Sequence, residues 1–387
     1  MMEIAVQTLE SLETAKRLTG LEDKYLTSFD ATDPFNGDIR LEGYLSQRPD
    51  HRYGALAITH VGGEPAPQLI YATPKLHYPF GKDGSFHFPP IQRAALYEKL
   101  DGTNVLAYQY RDAAGEQHLT YKLRLSAVLR NSKWGPFLDM WRELMERFPA
   151  IPRLVEANGC HVSFEMYGAR NAHLIQYDAP LETAVLFGVR PHDATVVAPF
   201  ELDLLGVPGA LLHGELKAGD DPVARYGEMR AEMEKRNKPV GDGTDEKIAG
   251  TEGAIWYVVE PAGRVTLWKC KPESVENIHW STGINKKAVL ATCQNCLETN
   301  DELTYEALEP LLLEEYQEDD IKKFRPIIDE CIRMVRANCE FQERVMVEYH
   351  KVGISLEEDK GAVMRAMSKV FSREDMKKVH SAIVNAR

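Results

Sequence analysis

One short stretch of the sequence places an amine, a carboxylate and a flexible backbone within a few residues of one another. The stretch reads Tyr97-Glu98-Lys99-Leu100-Asp101-Gly102-Thr103-Asn104. A lysine is a good covalent catalyst only when its amine is deprotonated, and its ordinary pKa is about 10.4. A nucleophilic Lys99 therefore needs neighbouring cations or a metal ion, because nearby positive charge lowers the pKa of an amine.

The cations that such a nucleophile needs occur in a later run, Val265 to Lys271. The run is typical of a strand, and alternate side chains of a strand point to the same face. We therefore expect Lys269 and Lys271 to share one face, where their charge would help to keep Lys99 neutral by like-charge repulsion.

Three further strand-like runs lie between these two stretches, and each carries an acidic or aromatic residue. They are Phe164 to Gly168 with Glu165, Leu186 to Arg190 with Phe187, and Thr251 to Tyr257 with Glu252. In this order the five blocks resemble those of the covalent nucleotidyltransferases, the superfamily of ATP-dependent RNA and DNA ligases and RNA capping enzymes. The resemblance covers roughly residues 70 to 280.

Within that superfamily the sequence looks most like the RNA ligases. DNA ligases and capping enzymes usually carry arginine where this chain has Asn104, and they usually append a small β-barrel where this chain has helical patterns. Nick-sealing RNA ligases carry asparagine at that position, whereas Phe164-Glu165 followed by Arg170-Asn171 looks more like the phage ligases that repair broken tRNA. The RNA substrate, whether a nick, a single strand or a tRNA break, is left open.

The resemblance implies a reaction in three steps, with ATP and Mg²⁺ or Mn²⁺ as cofactors. Lys99 would attack the α-phosphate of ATP to give lysyl-AMP, the AMP would pass to an RNA 5′-phosphate, and a 3′-hydroxyl would displace it. Lys269 and Lys271 would hold the α-phosphate oxygens. The implied partner is RNA with 5′-phosphate and 3′-hydroxyl ends.

The resemblance also assigns roles to other residues of the site. Glu165 and Glu252 would face the metal ion, with a ribose contact as the alternative for Glu165, and Asp101 would face metal rather than the amine. The other predicted nucleotide contacts are Phe187 stacked on adenine, the backbone near Glu98 at the base edge, Asn104 at the transferred phosphate or the RNA end, and Arg124 at the phosphates.

Structural alternatives remain open for these residues, and functional alternatives remain open for the chain. The structural ones are Phe187 in the core, Glu165 and Glu252 as acids at strand ends, Asn104 in a turn, and Arg124 on a solvated strand face. The functional ones are a DNA ligase or capping-type nucleotidyltransferase and a non-catalytic RNA-binding relative. The sequence contains no Gly-rich phosphate-loop motif.

Composition bounds the partners and the compartment. The net charge of −13 over 387 residues argues against broad attraction to nucleic acid, so RNA must meet a local basic groove. No apolar run approaches the about 18 residues of a membrane span, and six cysteines in a chain this long do not form a disulfide framework. We expect a soluble cytoplasmic protein without a membrane partner. Cys293 and Cys296 fit either a zinc site or a pair of helical cysteines.

The pattern along the chain predicts an α+β fold. A nucleotidyltransferase domain of the ATP-grasp-like ligase type, with antiparallel sheets and flanking helices, would precede an all-helical C-terminal domain. The expected bounds are 1–90 for a β-rich N-terminal lead-in, 91–280 for the catalytic domain and 281–387 for the helical domain.

Local patterns add several more detailed predictions. Leu96 to Arg111 and Gln117 to Leu125 are expected to be two strands joined by a hairpin, so that Lys122 and Arg124 both point into the cleft. Residues 1–20 and 136–156 are predicted to be helices, and the aromatic stripe of the second is typical of core packing. The segment 74–80 is interpreted either as a strap near the nucleotide, with Lys75 reaching a phosphate, or as a surface connection.

Overall fold

The computed structural model places the predicted catalytic positions in the first of two compact units. The units are Met1–Thr282 and Gly283–Arg387. The structure describes residues 2–48, 50–74, 76–81, 85–132, 135–171, 173–240, 247–275, 286, 289–290, 292–293, 296, 303–316, 318–356, 359–373 and 375–385. Lys75 lies outside these residues.

The first unit opens with a helix and a four-stranded antiparallel sheet. The helix α1 is Met2–Thr19, and the strands are β1 (Leu26–Asp33), β2 (Ile39–Ser46), β3 (Leu56–Val61) and β4 (Glu64–Ile70), hydrogen-bonded in that order. Ala15 of α1 packs on Tyr44 and Ala57, which confirms the predicted N-terminal helix and explains how it is held. The other sheet face, through Leu41 and Ile58, packs against Tyr108.

Two further antiparallel sheets form the part of the unit that carries the site. The first, in spatial order, contains β11 (Leu212–Lys217), β5 (Arg93–Lys99), β14 (Gly253–Val259) and β15 (Val265–Cys270). The second contains β10 (Val196–Val197), β9 (Glu182–Val189), β8 (His161–Tyr167), β6 (Thr103–Arg111) and β7 (Gln117–Lys122). The short strands β12 (Lys238–Val240) and β13 (Lys247–Ala249) pair with each other. These antiparallel sheets confirm the predicted α+β class.

The predicted strand Leu96 to Arg111 is wrong as a single element, because the chain breaks at residues 100–102 and passes from one sheet to the other. Gly102 explains the break, since a Cβ there would overlap the carbonyl oxygen of Met166 on β8. Only glycine allows β6 to start this close to the β8 backbone. The hairpin between β6 and β7 is confirmed, with Asp112 N donating to Glu116 O over 3.0 Å.

The two site-bearing sheets face each other across an apolar cluster. Tyr97, Ile255 and Leu267 come from the sheet of β5, β14 and β15, and Leu186 and Phe187 come from β9. Because the side chains of a strand alternate, the residue that follows Tyr97 on the same face of β5 is Lys99. The nucleophile predicted from the sequence therefore lies where the apolar cluster ends.

Helices cover the outer faces of these sheets. In α2 (Phe137–Arg147), Met140, Trp141 and Leu144 are buried, which confirms that the predicted stripe is core. The predicted helix 136–156 is wrong in length, because Pro149 and Pro152 interrupt it before α3 (Leu154–Asn158). The helix α4 is Pro222–Arg236, and it buries Tyr226, Met229 and Met233 on the other face of the β5 sheet.

The second unit is helical wherever the structure describes elements in it. Its helices are α5 (Tyr305–Glu315), α6 (Glu318–Lys323), α7 (Arg325–Val352), α8 (Lys360–Met367) and α9 (Met376–Asn385). Cys293 and Cys296 are buried with Cys331 in an apolar cluster, and burial raises the pKa of the Cys293 thiol to about 12. Among the residues that the structure describes, no helix is both long and apolar enough to cross a bilayer.

Candidate active site

A single buried carboxylate joins two of the predicted catalytic lysines. Lys99, the last residue of β5, pairs with Gly253 of β14 in the sheet register, and its Nζ donates to Oε2 of Glu252. The Nζ of Lys271 lies 2.9 Å from Oε1 of the same glutamate. The Glu252 side chain is only 7% exposed and that of Lys271 only 4%. Glu252 is therefore the buried centre of a charge cluster rather than a surface acid.

Gly253 makes this arrangement sterically feasible. Its φ is +154°, a conformation that residues with a Cβ rarely adopt. A Cβ at this position would overlap the carbonyl oxygen of Cys270 and lie 3.3 Å from the Cα of Lys271. The bare backbone lets β14 approach β15 closely, so that the preceding carboxylate reaches both lysines.

The two lysines keep Glu252 ionised. Burial by itself would raise the pKa of this carboxyl, but the charges of Lys271 and Lys99 outweigh burial and hold the pKa at about 2. The sequence predicts that Asp101 faces metal rather than the amine. The carboxylate that contacts the amine of Lys99 in the structure is that of Glu252.

Glu165 interacts electrostatically with Lys99 and Glu252, but its pKa is shifted in the opposite direction from that of Glu252. It pairs with Asn104 across β8 and β6 and is buried. The pKa of Glu165 is raised to about 8, chiefly by burial; Lys99 lowers it, and Glu252 and Asp101 raise it. At neutral pH the protein therefore holds Glu252 ionised and Glu165 largely protonated.

Asn104 is tied to β8 and still has an unused acceptor. Its Nδ2 donates to Ser163 Oγ over 2.9 Å and to Phe164 O over 3.0 Å. Its Oδ1 is buried, and no hydrogen-bond donor reaches it among the described residues. Oxygen atoms from two carboxyls and one amide are ligands that Mg²⁺ and Mn²⁺ prefer. The buried Oδ1 of Asn104, which accepts no hydrogen bond among the described residues, fits a cation ligand. The metal-ligand roles of Glu165 and Glu252 stay predictions.

Asp101 organises backbone rather than the amine. Its Oδ2 accepts from the backbone N–H groups of Leu174 and Ile175, each over 2.6 Å, and its own N–H donates to Tyr177 Oη over 2.9 Å. The predicted role of Asp101 as a metal ligand stays a prediction. The observed bonds fix the turn after Lys99 against residues 174–177.

Lys269 and Lys271 are both buried, and they alternate with Trp268 and Cys270 at the end of β15. Val265 and Leu267, two and four residues before Lys269, belong to the cluster between the sheets. Alternation therefore places both lysines on the face that carries Lys99. This juxtaposition agrees with the spacing in the sequence.

Phe187 and Glu98, both predicted to lie near adenine, have different surroundings in the structure. Phe187 is 4% exposed in the cluster between the sheets, with its ring centroid 6.2 Å from that of Tyr257. Glu98 alternates with Lys99, so its side chain belongs to the opposite sheet face, and its backbone N–H donates to Leu211 O over 2.7 Å. Burial raises the pKa of Glu98. Their nucleotide contacts stay predictions.

The expectation that Lys122 points into the cleft with Arg124 is wrong. The strand β7 ends at Lys122, and the chain then turns, with Ser126 N donating to Leu123 O over 3.3 Å. Lys122 is fully buried, and its Nζ donates to the carbonyl oxygens of Gly54, Leu123 and Arg124 over 3.1, 2.9 and 2.8 Å. Burial lowers the pKa of Lys122 to about 7. Arg124 donates from Nε to Thr73 Oγ1 over 3.3 Å, and its phosphate role stays a prediction.

Sequence reasoning missed Tyr177 and Asn171, two residues that hold backbone segments next to the site. Tyr177 binds the backbone of Asp101, as described above. Asn171 donates from Nδ2 to Met166 O over 2.7 Å and to Thr103 Oγ1 over 3.0 Å, joining the ends of β6 and β8. Neither residue belongs to a periodic pattern. The only sequence signal was the position of Asn171 shortly after Phe164-Glu165.

No family model matches the chain, and no curated protein matches it. Among solved structures it is similar to an archaeal ATP-dependent RNA ligase, with 17% identity, 82% of this chain and 76% of that chain covered, and a TM-score of 0.44. It is also similar to a putative ATP-dependent DNA ligase from Aquifex aeolicus, with 11% identity, coverage of 86% and 80%, and a TM-score of 0.44.

A Naegleria gruberi RNA ligase with ATP and Mn is a third similar structure, with 14% identity, coverage of 47% of this chain and 50% of that chain, and a TM-score of 0.33. All three are ligases. The superfamily that the sequence blocks resemble includes ligases. The likenesses are distant both in identity and in superposition.

Proposed function

We propose that the protein is an ATP-dependent RNA ligase that joins RNA 5′-phosphate and 3′-hydroxyl ends through lysyl-AMP. The observation that carries the proposal is the buried carboxylate of Glu252 between the amines of Lys99 and Lys271. Two amines that share one carboxylate carry one positive charge more than it cancels, which a polyphosphate can neutralise.

In the first step the Nζ of Lys99 attacks the α-phosphorus of ATP. A nitrogen–phosphorus bond forms, the bond from the α-phosphorus to the bridging oxygen breaks, pyrophosphate leaves, and the amine loses a proton. Lys269 and Lys271 would stabilise negative charge on the phosphate oxygens. A divalent cation held by Glu165, Glu252 and Asn104 would neutralise further phosphate charge when it is bound.

Two displacements complete the reaction. An oxygen of the RNA 5′-phosphate attacks the α-phosphorus of lysyl-AMP and breaks the nitrogen–phosphorus bond. The RNA 3′-hydroxyl then attacks the 5′-phosphorus, loses its proton and releases AMP. Each step needs two groups aligned in a site that excludes competing water, and the burial of the charged groups on this face suits that requirement.

The test is transfer of label from ATP to the protein. Incubation with α-labelled ATP and Mg²⁺ or Mn²⁺ should give a protein adduct that survives denaturation and alkali and is released by acid, as a phosphoramidate requires. We expect Lys99→Ala to lower the label below about 1% of wild type, because alanine supplies no nucleophile. The matched control is Lys217→Ala, an exposed lysine of β11, which should label normally.

The nucleotide and strand preferences separate the alternatives. Labelling by GTP and not ATP would indicate a capping-type enzyme, and joining of 5′-phosphorylated DNA in preference to RNA would indicate a DNA ligase. Undiminished labelling of Lys99→Ala would contradict the whole assignment.

A further inference from the structure

The segment 76–80, called the strap below, lies along the edge of the site-bearing sheet next to β15. Lys269 N donates to His77 O over 2.8 Å, and His77 forms a parallel bridge with Trp268. The strap thus pairs with the backbone of the residue predicted to bind the α-phosphate. The strap pairs with β15, and its contact with a nucleotide stays a prediction.

Aromatic packing fixes the far end of the strap. Phe80 forms a bridge with Phe86, and the two ring centroids are 5.7 Å apart at an interplanar angle of 72°. Phe80 also lies edge-on to Tyr226 of α4, at 6.0 Å and 84°. The backbone N–H of His87 donates to the carbonyl oxygen of the buried Pro79 over 2.6 Å. The backbone between these two anchors therefore has little freedom to move away from β15.

The ring of Tyr78 lies between these anchors and contacts Lys269. The Nζ of Lys269 is 4.4 Å from the Tyr78 ring centroid, within the range of a cation–π interaction. Phe80 packs on Tyr78 with centroids 5.1 Å apart, which supports the ring from behind. Lys269 is 8% exposed, and removal of water strengthens such a contact.

We propose that Tyr78 is a positioning residue that holds the ammonium group of Lys269 ready for a nucleotide phosphate. The inference rests on the proposed function and names a residue that it does not include. A carboxylate on Lys269 would cancel its charge and repel phosphate, as Glu252 does for the two lysines it binds. A ring face attracts the ammonium group without carrying net charge, so this contact itself does not cancel the positive charge of the lysine.

The test compares single-turnover lysyl-AMP formation at increasing ATP concentration. We expect Tyr78→Leu to raise the ATP concentration for half-maximal rate about tenfold, which corresponds to about 1.4 kcal/mol, and to change the maximal rate less. Tyr78→Phe keeps the ring face and should stay within about twofold of wild type. Tyr78→Met serves the same comparison as Tyr78→Leu should the leucine variant be insoluble.

A double-mutant cycle with Lys269→Met distinguishes positioning from packing. Tyr78→Leu should add nothing in the Lys269→Met background, because the cation that the ring holds is gone. The matched control is Phe86→Leu, which removes a ring of the same aromatic patch. Equal effects of Phe86→Leu and Tyr78→Leu would assign the effect to packing and overturn the inference.

Different experimental results would overturn the inference and the proposed function. Absence of any lysyl adduct in the wild-type protein overturns both. A wild-type adduct, combined with an unchanged ATP dependence in Tyr78→Leu or with a Tyr78→Phe variant as impaired as Tyr78→Leu, overturns the inference alone.

Discussion

The substitution Glu165→Gln offers a test of the site's electrostatics that is independent of catalysis. Glutamine has nearly the shape of a protonated glutamic acid but cannot ionise. In the wild-type protein, burial raises the pKa of Glu165 from 4.5 to about 8. The variant therefore mimics the protonated state at every pH, and its difference from wild type isolates the titration of this one carboxyl.

The sign of the effect follows from proton binding. Between pH 4.5 and about 8 the folded protein holds a proton on Glu165 that the unfolded chain has released. The stability that this group contributes is therefore complete below pH 4.5 and is lost as the pH rises through about 8. At about 1.36 kcal/mol per pH unit, the interval corresponds to about 5 kcal/mol of unfolding free energy, an upper figure for this group.

The assay is urea unfolding in EDTA between pH 5 and pH 9, followed by tryptophan fluorescence. Trp141, Trp256 and Trp268, the tryptophans among the described residues, belong to the first unit, so their fluorescence reports on the unit that contains the site. We expect wild type and Glu165→Gln to be similar near pH 5 and wild type to lose several kcal/mol relative to the variant by pH 9.

The exposed Glu156 of α3 provides the control, since Glu156→Gln should run parallel to wild type at all pH values. Parallel curves for Glu165→Gln and wild type would refute the reasoning, because they would mean that this carboxyl titrates alike in the folded and unfolded chains.

Two further predictions concern steric fit and the division into units. Gly253→Ala should lower lysyl-AMP formation at least about 100-fold, because the added Cβ would force β14 away from Cys270 and displace Glu252. The control is Gly227→Ala, which lies in α4 with open space around it and should leave the labelling rate unchanged. A chain ending at Thr282 should keep self-labelling and lose RNA joining or RNA preference, measured as the ratio of joining to labelling; an unchanged ratio would contradict a substrate-selecting second unit.

The strands that carry the site could be predicted because strand-like composition is a local property. The runs that form β8, β9 and β14 are short and rich in apolar β-branched and aromatic residues, β15 alternates, and the structure has strands there. The break after Lys99 could not be predicted in this way, since residues on both sides of it are equally strand-like. It arises from a contact between Gly102 and Met166, 64 positions apart, which only the assembled sheets reveal.

Lys122 shows the same limit in a charged residue. Next to Arg124 in an apparent strand, a lysine is expected to point to solvent or to phosphate. Three carbonyl oxygens hold it in the interior instead, and one of them belongs to Gly54, 68 positions away. Carbonyl acceptors leave no trace in the sequence, because every residue carries one.

The charges of the site bear on how a protein with a net charge of −13 would attract the nucleotide of the proposed function. Three lysines, at positions 99, 269 and 271, share one face of a sheet, and one ionised acid, Glu252, is bound to two of them. Glu165 stays largely protonated at neutral pH and adds little negative charge, and Tyr78 contacts Lys269 without adding any. Burial lengthens the reach of the remaining positive charge, since fewer water molecules screen it. Under the proposed function, these lysines would attract a phosphate chain locally although the protein's net charge is negative.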